Sequence, residues 1–166
     1  RLGYAKQLVY AQSIQQFKLI KYWFKTHQIE AKLQEQIIER IKTIITMINA
    51  CQSLEQLRGL EGASAKIVFY VMSLIAPAWA KFQGRNRRPP KDPINVLLSL
   101  SYSLIYAECT RALTAHALDP MLGFYHEPVH GRYSLACDLT ERIRCDIEKW
   151  VMQLLFNEQL RPVHFA

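Results

Sequence analysis

The chain has 166 residues, half of them hydrophobic, with four cysteines, a formal charge of +7 and a pI near 9.3. That is enough chain for one domain with a real core, or for part of a larger protein, and it is too apolar to be a disordered tail. The positive surplus favours an anionic partner, of which nucleic acid is the commonest; an acidic membrane surface is the alternative and needs a basic amphipathic helix.

Cys51, Cys109, Cys137 and Cys145 form no C-x-x-C pair, which excludes a zinc knuckle and a dithiol redox motif and leaves free thiols in a reducing cytoplasm as the expectation. No signal peptide is read at the opening Arg1. The most apolar run, Ile67 to Trp79, is interrupted by Ser73 and Pro77 and is too short to cross a bilayer, so no membrane partner is expected.

From Arg1 to His27, Leu8, Val9, Ile14, Phe17, Ile20, Trp23 and Phe24 recur at helical spacing. The stretch carries five basic residues and no acid, which suits either solvated surface lysines or direct contact with nucleic acid. Ile29, Leu33, Ile37, Ile41, Ile44 and Ile48 then stripe a second helix, a scaffold element joined to the first by a short link as an antiparallel pair.

Ser53 followed by Gln56 reads as a capping box opening a short helical turn that ends near Gly59. Beyond the small residues Gly62, Ala63, Ser64 and Ala65, the run to Ile75 is apolar on nearly all faces, which predicts a central buried helix. Glu61 then stands at the mouth of that helix, where a carboxylate complements the positive end of the helix dipole. The Gly59 to Gly62 spacing matches the GXXG clamp of a KH domain, but no strands flank it, and the P-loop order is absent.

Lys81 to Lys91 carries five positive residues and no negative one, and Pro89 and Pro90 keep it extended. Arg85, Arg87, Arg88 and Lys91 are the candidate DNA-binding residues, because a cationic loop held out of helix can lie along a phosphate backbone; a merely solubilising loop is the alternative. Asp92 and Pro93 supply an N-cap acid and a proline at the first position of a helix running to about His116, with Asp119 and Pro120 as its stop. From Ser134 to Asn157, Leu135, Leu139, Ile143, Ile147, Val151 and Leu154 recur with no internal proline or glycine, which predicts one continuous helix. No segment reads as a strand, so the fold class expected is an all-α multi-helix bundle.

Two words near the C-terminal end carry the chemistry: Gly123-Phe124-Tyr125-His126-Glu127 and Leu135-Ala136-Cys137-Asp138-Leu139-Thr140-Glu141. Asp138 and Glu141 are three apart, which puts both carboxylates on one helix face. His126 lies just upstream in a loop flanked by glycine and proline, and a loop histidine feeding two carboxylates is the pattern of a metal site. A solvated face for the two acids and a structural role for the histidine are the alternatives; Glu127 and His130 stand nearby as substitute donors.

These words, with Leu57-Arg58-Gly59-Leu60-Glu61-Gly62-Ala63-Ser64-Ala65-Lys66, the stretch from Arg85 to Tyr102, Leu118 to Glu127, and the close Leu160-Arg161-Pro162-Val163-His164-Phe165, occur in an order that resembles the C-terminal helical domain of the Cas-one family. These are CRISPR-associated endonucleases that act as integrases in spacer acquisition. The likeness covers nearly the whole of 1–166. It implies a single catalytic domain without the family's N-terminal β-rich domain, as a fragment or as part of a fusion such as one with a reverse transcriptase.

The resemblance further implies a manganese or magnesium site made by Glu61, His126 and Glu141, with Asp138 beside it as a further catalytic acid. The partners it implies are double-stranded DNA with single-stranded 3′ ends, the small Cas-two protein and a second copy of the chain. One imidazole and two carboxylates suit a hard cation that keeps positions open for water or phosphate, unlike a closed zinc site. The competing expectation is a catalytically silent helical module that binds nucleic acid or partner proteins. The sequence departs from the family after Glu141, where the family usually has an aromatic residue, arginine and proline and this chain has Ile143, Arg144 and Cys145, and Tyr133 replaces a usual proline.

Overall fold

A computed structural model describes residues 1–165. It places six α-helices along the chain: α1 Leu2–Thr26, α2 Ala31–Ala50, α3 Leu54–Ile75, α4 Pro93–Ala115, α5 Ser134–Glu141 and α6 Arg144–Phe156, with 3₁₀ turns at Ala78–Ala80 and Pro162–Phe165. The described residues contain no strand, only an isolated antiparallel bridge between Val129 and Arg132. Among them, no helix is long and apolar enough to cross a membrane.

The caps follow the chemistry of the sequence. Ser53 accepts the Gln56 amide at 3.1 Å, and Gln56 reaches back to the Gln52 amide at 3.0 Å, starting α3. Asp92 accepts the Asn95 amide at 2.9 Å with Pro93 at the first position of α4. That helix ends at Ala115, before Asp119 and Pro120, through the left-handed Ala117.

α1, α2 and α3 pack on one another, α4 packs on α5 and α6, and α1 joins the two groups by touching α5 and α6 as well. α1, not α3, is therefore the hub. Its stripe of Ala5, Val9, Gln12, Gln16, Ile20 and Trp23 is almost wholly buried. α3 instead shows one exposed side, with Lys66, Tyr70 and Leu74 in solvent.

Two expectations from the sequence are corrected, and both shape the site. α3 runs unbroken through Gly59 and Gly62. Each glycine costs about 1 kcal/mol of helix propensity, but Leu57, Ser64, Val68, Val71 and Met72 continue one buried stripe past them and hold the helix together. The predicted C-terminal helix is in fact two. Tightened bonds from the Arg142 amide to the Leu139 carbonyl and from the Ile143 amide to the Thr140 carbonyl end α5 and turn the chain into α6.

Candidate metal centre

Glu61 is the eighth residue of α3, two turns in and not at its mouth, so the helix dipole does not account for it. Its side chain is one-fifth exposed and faces Glu141 of α5, Arg144 of α6 and His126 of the intervening loop. Burial and the neighbouring Glu141 carboxylate raise its pKa, against the opposing pull of Arg144, His126 and Arg87. Residues far apart in the chain thus share one electrostatic environment, because α1 draws α3 and α5 to the same end of the bundle.

Asp138 and Glu141 are both buried, which rules out the solvated helix face, but they do different work. Asp138 accepts the backbone amides of Phe124, Tyr125 and His126 at 2.6, 3.0 and 3.0 Å, and the His126 ring Nδ1 at 2.7 Å. Burial alone would raise its pKa; the hydrogen bonds from the His126 ring and the three amides outweigh that and hold it below the usual carboxylate range. Both its oxygens are engaged with the loop.

The ionised Asp138 engages Nδ1 of the His126 ring, which leaves Nε2 as the nitrogen open to another partner. Gly123 permits this fold of the loop. A Cβ there would stand 2.6 Å from the His126 carbonyl oxygen and 2.8 Å from Ser134 Cβ.

Glu141 receives Gln12 Nε2 at 2.6 Å and Arg144 Nη1 at 2.9 Å to each of its oxygens. The same Arg144 nitrogen is 3.8 Å from Glu61 Oε1, so one guanidinium spans the two carboxylates. It lies over the Tyr102 ring at 4.9 Å, and the Tyr102 hydroxyl donates to the buried Glu148 at 2.9 Å. In this arrangement no group of three His, Cys, Asp or Glu side chains among the described residues is placed to hold a metal ion. What is present is a buried Glu141 and a partly buried Glu61 with a cation between them, and a nearby imidazole oriented by Asp138.

A cavity of about 290 Å³ opens at this point, lined by Gln12, Glu61, Lys66, Arg87, Arg144 and Glu148 among others. It shares Gly62 and Lys66 with a larger cleft of about 720 Å³ between α2 and α3, whose walls include Arg40, Arg58 and Tyr70. Cations from α2, α3 and the basic loop therefore rim the approach to two carboxylates.

The basic loop is less free than its composition suggests. Arg85 is half-buried, donating to the Asn86 carbonyl, to Asn95 Oδ1 at 2.8 Å and to Ser99 Oγ at 3.1 Å. Asn86 and Asn95 tie the rest of the loop to Asp92 and the start of α4. Arg87 and Arg88 are exposed, as is Lys91 beyond them. Of the substitute donors, Glu127 pairs with Arg58 at 3.3 Å and His130 is exposed in the loop.

Sequence reasoning passed over Gln12, Tyr102 and Glu148, and met Arg144 only as part of the run after Glu141. For Gln12 a signal existed: it falls with Gln16 at helical spacing inside the apolar stripe of α1, where a polar side chain needs a buried partner.

The family model described as "CRISPR associated protein Cas1" matches residues 1–166. The chain is 38% identical over 160 residues to "CRISPR-associated endonuclease Cas1 1" of Thermodesulfovibrio yellowstonii, an alignment covering 96% of this chain and 50% of that one. Its fold matches a chain of a "Partial Cas6-RT-Cas1--Cas2 complex" with a TM-score of 0.86 at 29% identity, covering 96% of this chain and 47% of that one. It also matches a "Casposase bound to integration product" with a TM-score of 0.80 at 25% identity, covering 97% and 44%. The chain thus spans about half the length of these relatives. A match over every residue, on a helical bundle shared with solved Cas1 structures, means that this chain belongs to the Cas1 family of CRISPR-associated proteins.

Proposed function

We propose that this chain is the catalytic helical half of a Cas1 integrase, in which Glu61, His126 and Glu141 hold a magnesium or manganese ion and a DNA 3′-hydroxyl attacks a target-strand phosphate. The observation that carries the reading is that Glu61 and Glu141, from different helices, share one Arg144 guanidinium, while Asp138 of the Glu141 helix holds the His126 ring by Nδ1. A hard divalent ion suits that donor set, and when bound it polarises the phosphoryl oxygen and offsets the charge developing in the transition state.

The chain's own residues supply the rest. Asp138 fixes the His126 ring and its tautomer, and Gln12 orients Glu141. Lys66 and Arg87 face the cavity and suit the phosphates on either side of the reacting bond. Arg88 and Lys91, exposed on the same loop, extend that contact. The new bond forms between the attacking oxygen and phosphorus as the old phosphorus–oxygen bond breaks, so the number of phosphodiesters is conserved and no nucleotide triphosphate is needed.

The partners that go with this reading are double-stranded DNA with single-stranded 3′ ends, a Cas-two protein and a second copy of the chain. A reverse-transcriptase fusion is one setting for it, since one of the complexes whose fold matches this chain joins Cas6, RT and Cas1 and pairs them with Cas2. A second reading, a silent module that binds nucleic acid, draws support from Arg144, which already pairs with Glu141 and stands close to Glu61. Strand joining of a 3′-overhang DNA in manganese separates them: the integrase reading expects product that Glu61→Ala and His126→Ala abolish. Joining undiminished in both variants rejects the metal mechanism, and nucleic-acid binding with no joining under any condition supports the silent module.

A further inference from the structure

We propose that Arg144 is a positioning residue with two seats, one on the Glu61 and Glu141 carboxylates when no divalent ion is held there, and one on Glu148 when it is. The inference rests on the metal-site reading above.

The first seat is the one seen. Arg144 Nη1 donates to Glu141 Oε2 at 2.9 Å, lies 2.9 Å from Glu141 Oε1 and stands 3.8 Å from Glu61, so its charge sits between the two carboxylates. Two ionised carboxylates brought together with this little exposure are unfavourable without such a charge. A divalent ion on the Glu141 oxygens competes directly with that guanidinium, because the charges repel and Arg144 already occupies acceptor positions there. Loading therefore displaces Arg144.

The second seat is one helical turn along α6. Glu148 is 3% exposed; its Oε1 takes the Tyr102 hydroxyl at 2.9 Å, while its Oε2 is buried with no partner among the described residues. Arg144 Nε is buried and unpartnered in the same sense. The two residues are four apart on one helix, the spacing at which an arginine and a glutamate meet. Native structures rarely leave such groups unsatisfied, and here a donor and an acceptor are unspent within reach of each other.

Tyr102 connects the seats. Its ring face lies under the Arg144 guanidinium at 4.9 Å, and its hydroxyl holds Glu148 in place, so the guanidinium can pass from one carboxylate to the other over an aromatic surface. Glu141 is not abandoned in the exchange, because Gln12 still donates to it at 2.6 Å. Arg144 therefore offsets one of the two carboxylate charges before the site is loaded and competes with the ion for its ligands.

The test is calorimetric titration of Mn2+ alone into the whole chain at pH 8, paralleled by Mn2+ paramagnetic resonance. Arg144→Met is expected to bind Mn2+ at least tenfold more tightly than wild type. Glu148→Gln, which removes the second seat's charge, is expected to bind at least tenfold more weakly with an unchanged circular-dichroism spectrum. A merely structural arginine predicts the opposite sign for Arg144→Met.

Unchanged or weaker binding in Arg144→Met overturns the exchange, as does unchanged binding in Glu148→Gln, which decides alone should Arg144→Met fail to fold. Wild-type protein that takes up no Mn2+ overturns the metal-site reading along with the exchange. Wild-type binding that is lost in Glu61→Gln but unaffected by Arg144→Met overturns the exchange only.

Discussion

His126 Nδ1 lies 2.7 Å from Asp138 Oδ1, and the same carboxylate accepts three successive backbone amides of the loop that carries the histidine. Asp138 is therefore the residue that builds the His126 loop. Asp138→Asn removes the charge from four hydrogen bonds and is expected to destabilise the fold by about 3 kcal/mol, read by urea unfolding. Because the native pKa of Asp138 is held below its unfolded value, its contribution is complete above about pH 3.9 and is lost as the pH falls further. The variant should accordingly show a flatter acid limb.

Gly123 is required by close approach. Its missing Cβ would meet the His126 carbonyl and Ser134, whose hydroxyl is itself anchored to the Glu127 carbonyl. Gly123→Ala should cost about 1–3 kcal/mol and speed hydrogen exchange at the amides of Phe124, Tyr125 and His126, with helix content unchanged.

Burial pushes the Glu148 carboxyl up to about 7, with Glu141 adding to the rise and Arg144, the Tyr102 hydroxyl and Arg85 opposing it. A carboxyl that holds its proton more tightly folded than unfolded contributes stability that is full below the unfolded value of about 4.3 and lost as the pH rises to about 7. Thermal unfolding should give a lower midpoint at pH 8 than at pH 5. Glu148→Gln should flatten that slope, by a difference on the order of 3 kcal/mol.

The basic loop divides into two kinds of arginine. Arg85 is committed to Asn95, Ser99 and the face of Tyr102, so Arg85→Ala should lower the unfolding midpoint. Arg87→Ala, Arg88→Ala and Lys91→Ala should leave stability within about 0.5 kcal/mol of wild type. Each should weaken binding of duplex DNA and reduce its logarithmic salt dependence by about 0.9 for every phosphate that is no longer neutralised, as read by fluorescence anisotropy across a salt series.

The helices announced by a stripe and a cap were legible in the chain itself: α1 and α2 by spacing, α4 by Asp92 and Pro93. What hid was decided by packing at a distance. Gly59 reads as a stop only if the buried stripe from Leu57 to Met72 is ignored. The break at Arg142 and Ile143 contains neither glycine nor proline, so local pattern had nothing to mark it. Glu61, His126 and the acids of α5 were found through their words, whereas Arg144 between the carboxylates could only appear once α3, α5 and α6 were brought together. Arg85 was read by its charge, and its hydrogen bonds to Asn95 and Ser99 turn that charge inward.

The central claim, that Glu61, His126 and Glu141 share one divalent ion, is tested most directly by anomalous diffraction at the manganese edge from crystals of the chain soaked in Mn2+. The account predicts one strong peak within bonding distance of His126 Nε2 and of both carboxylates, with the Arg144 guanidinium moved off Glu141. A peak bonded elsewhere, or none while Arg144 still spans the carboxylates at saturating Mn2+, would contradict it.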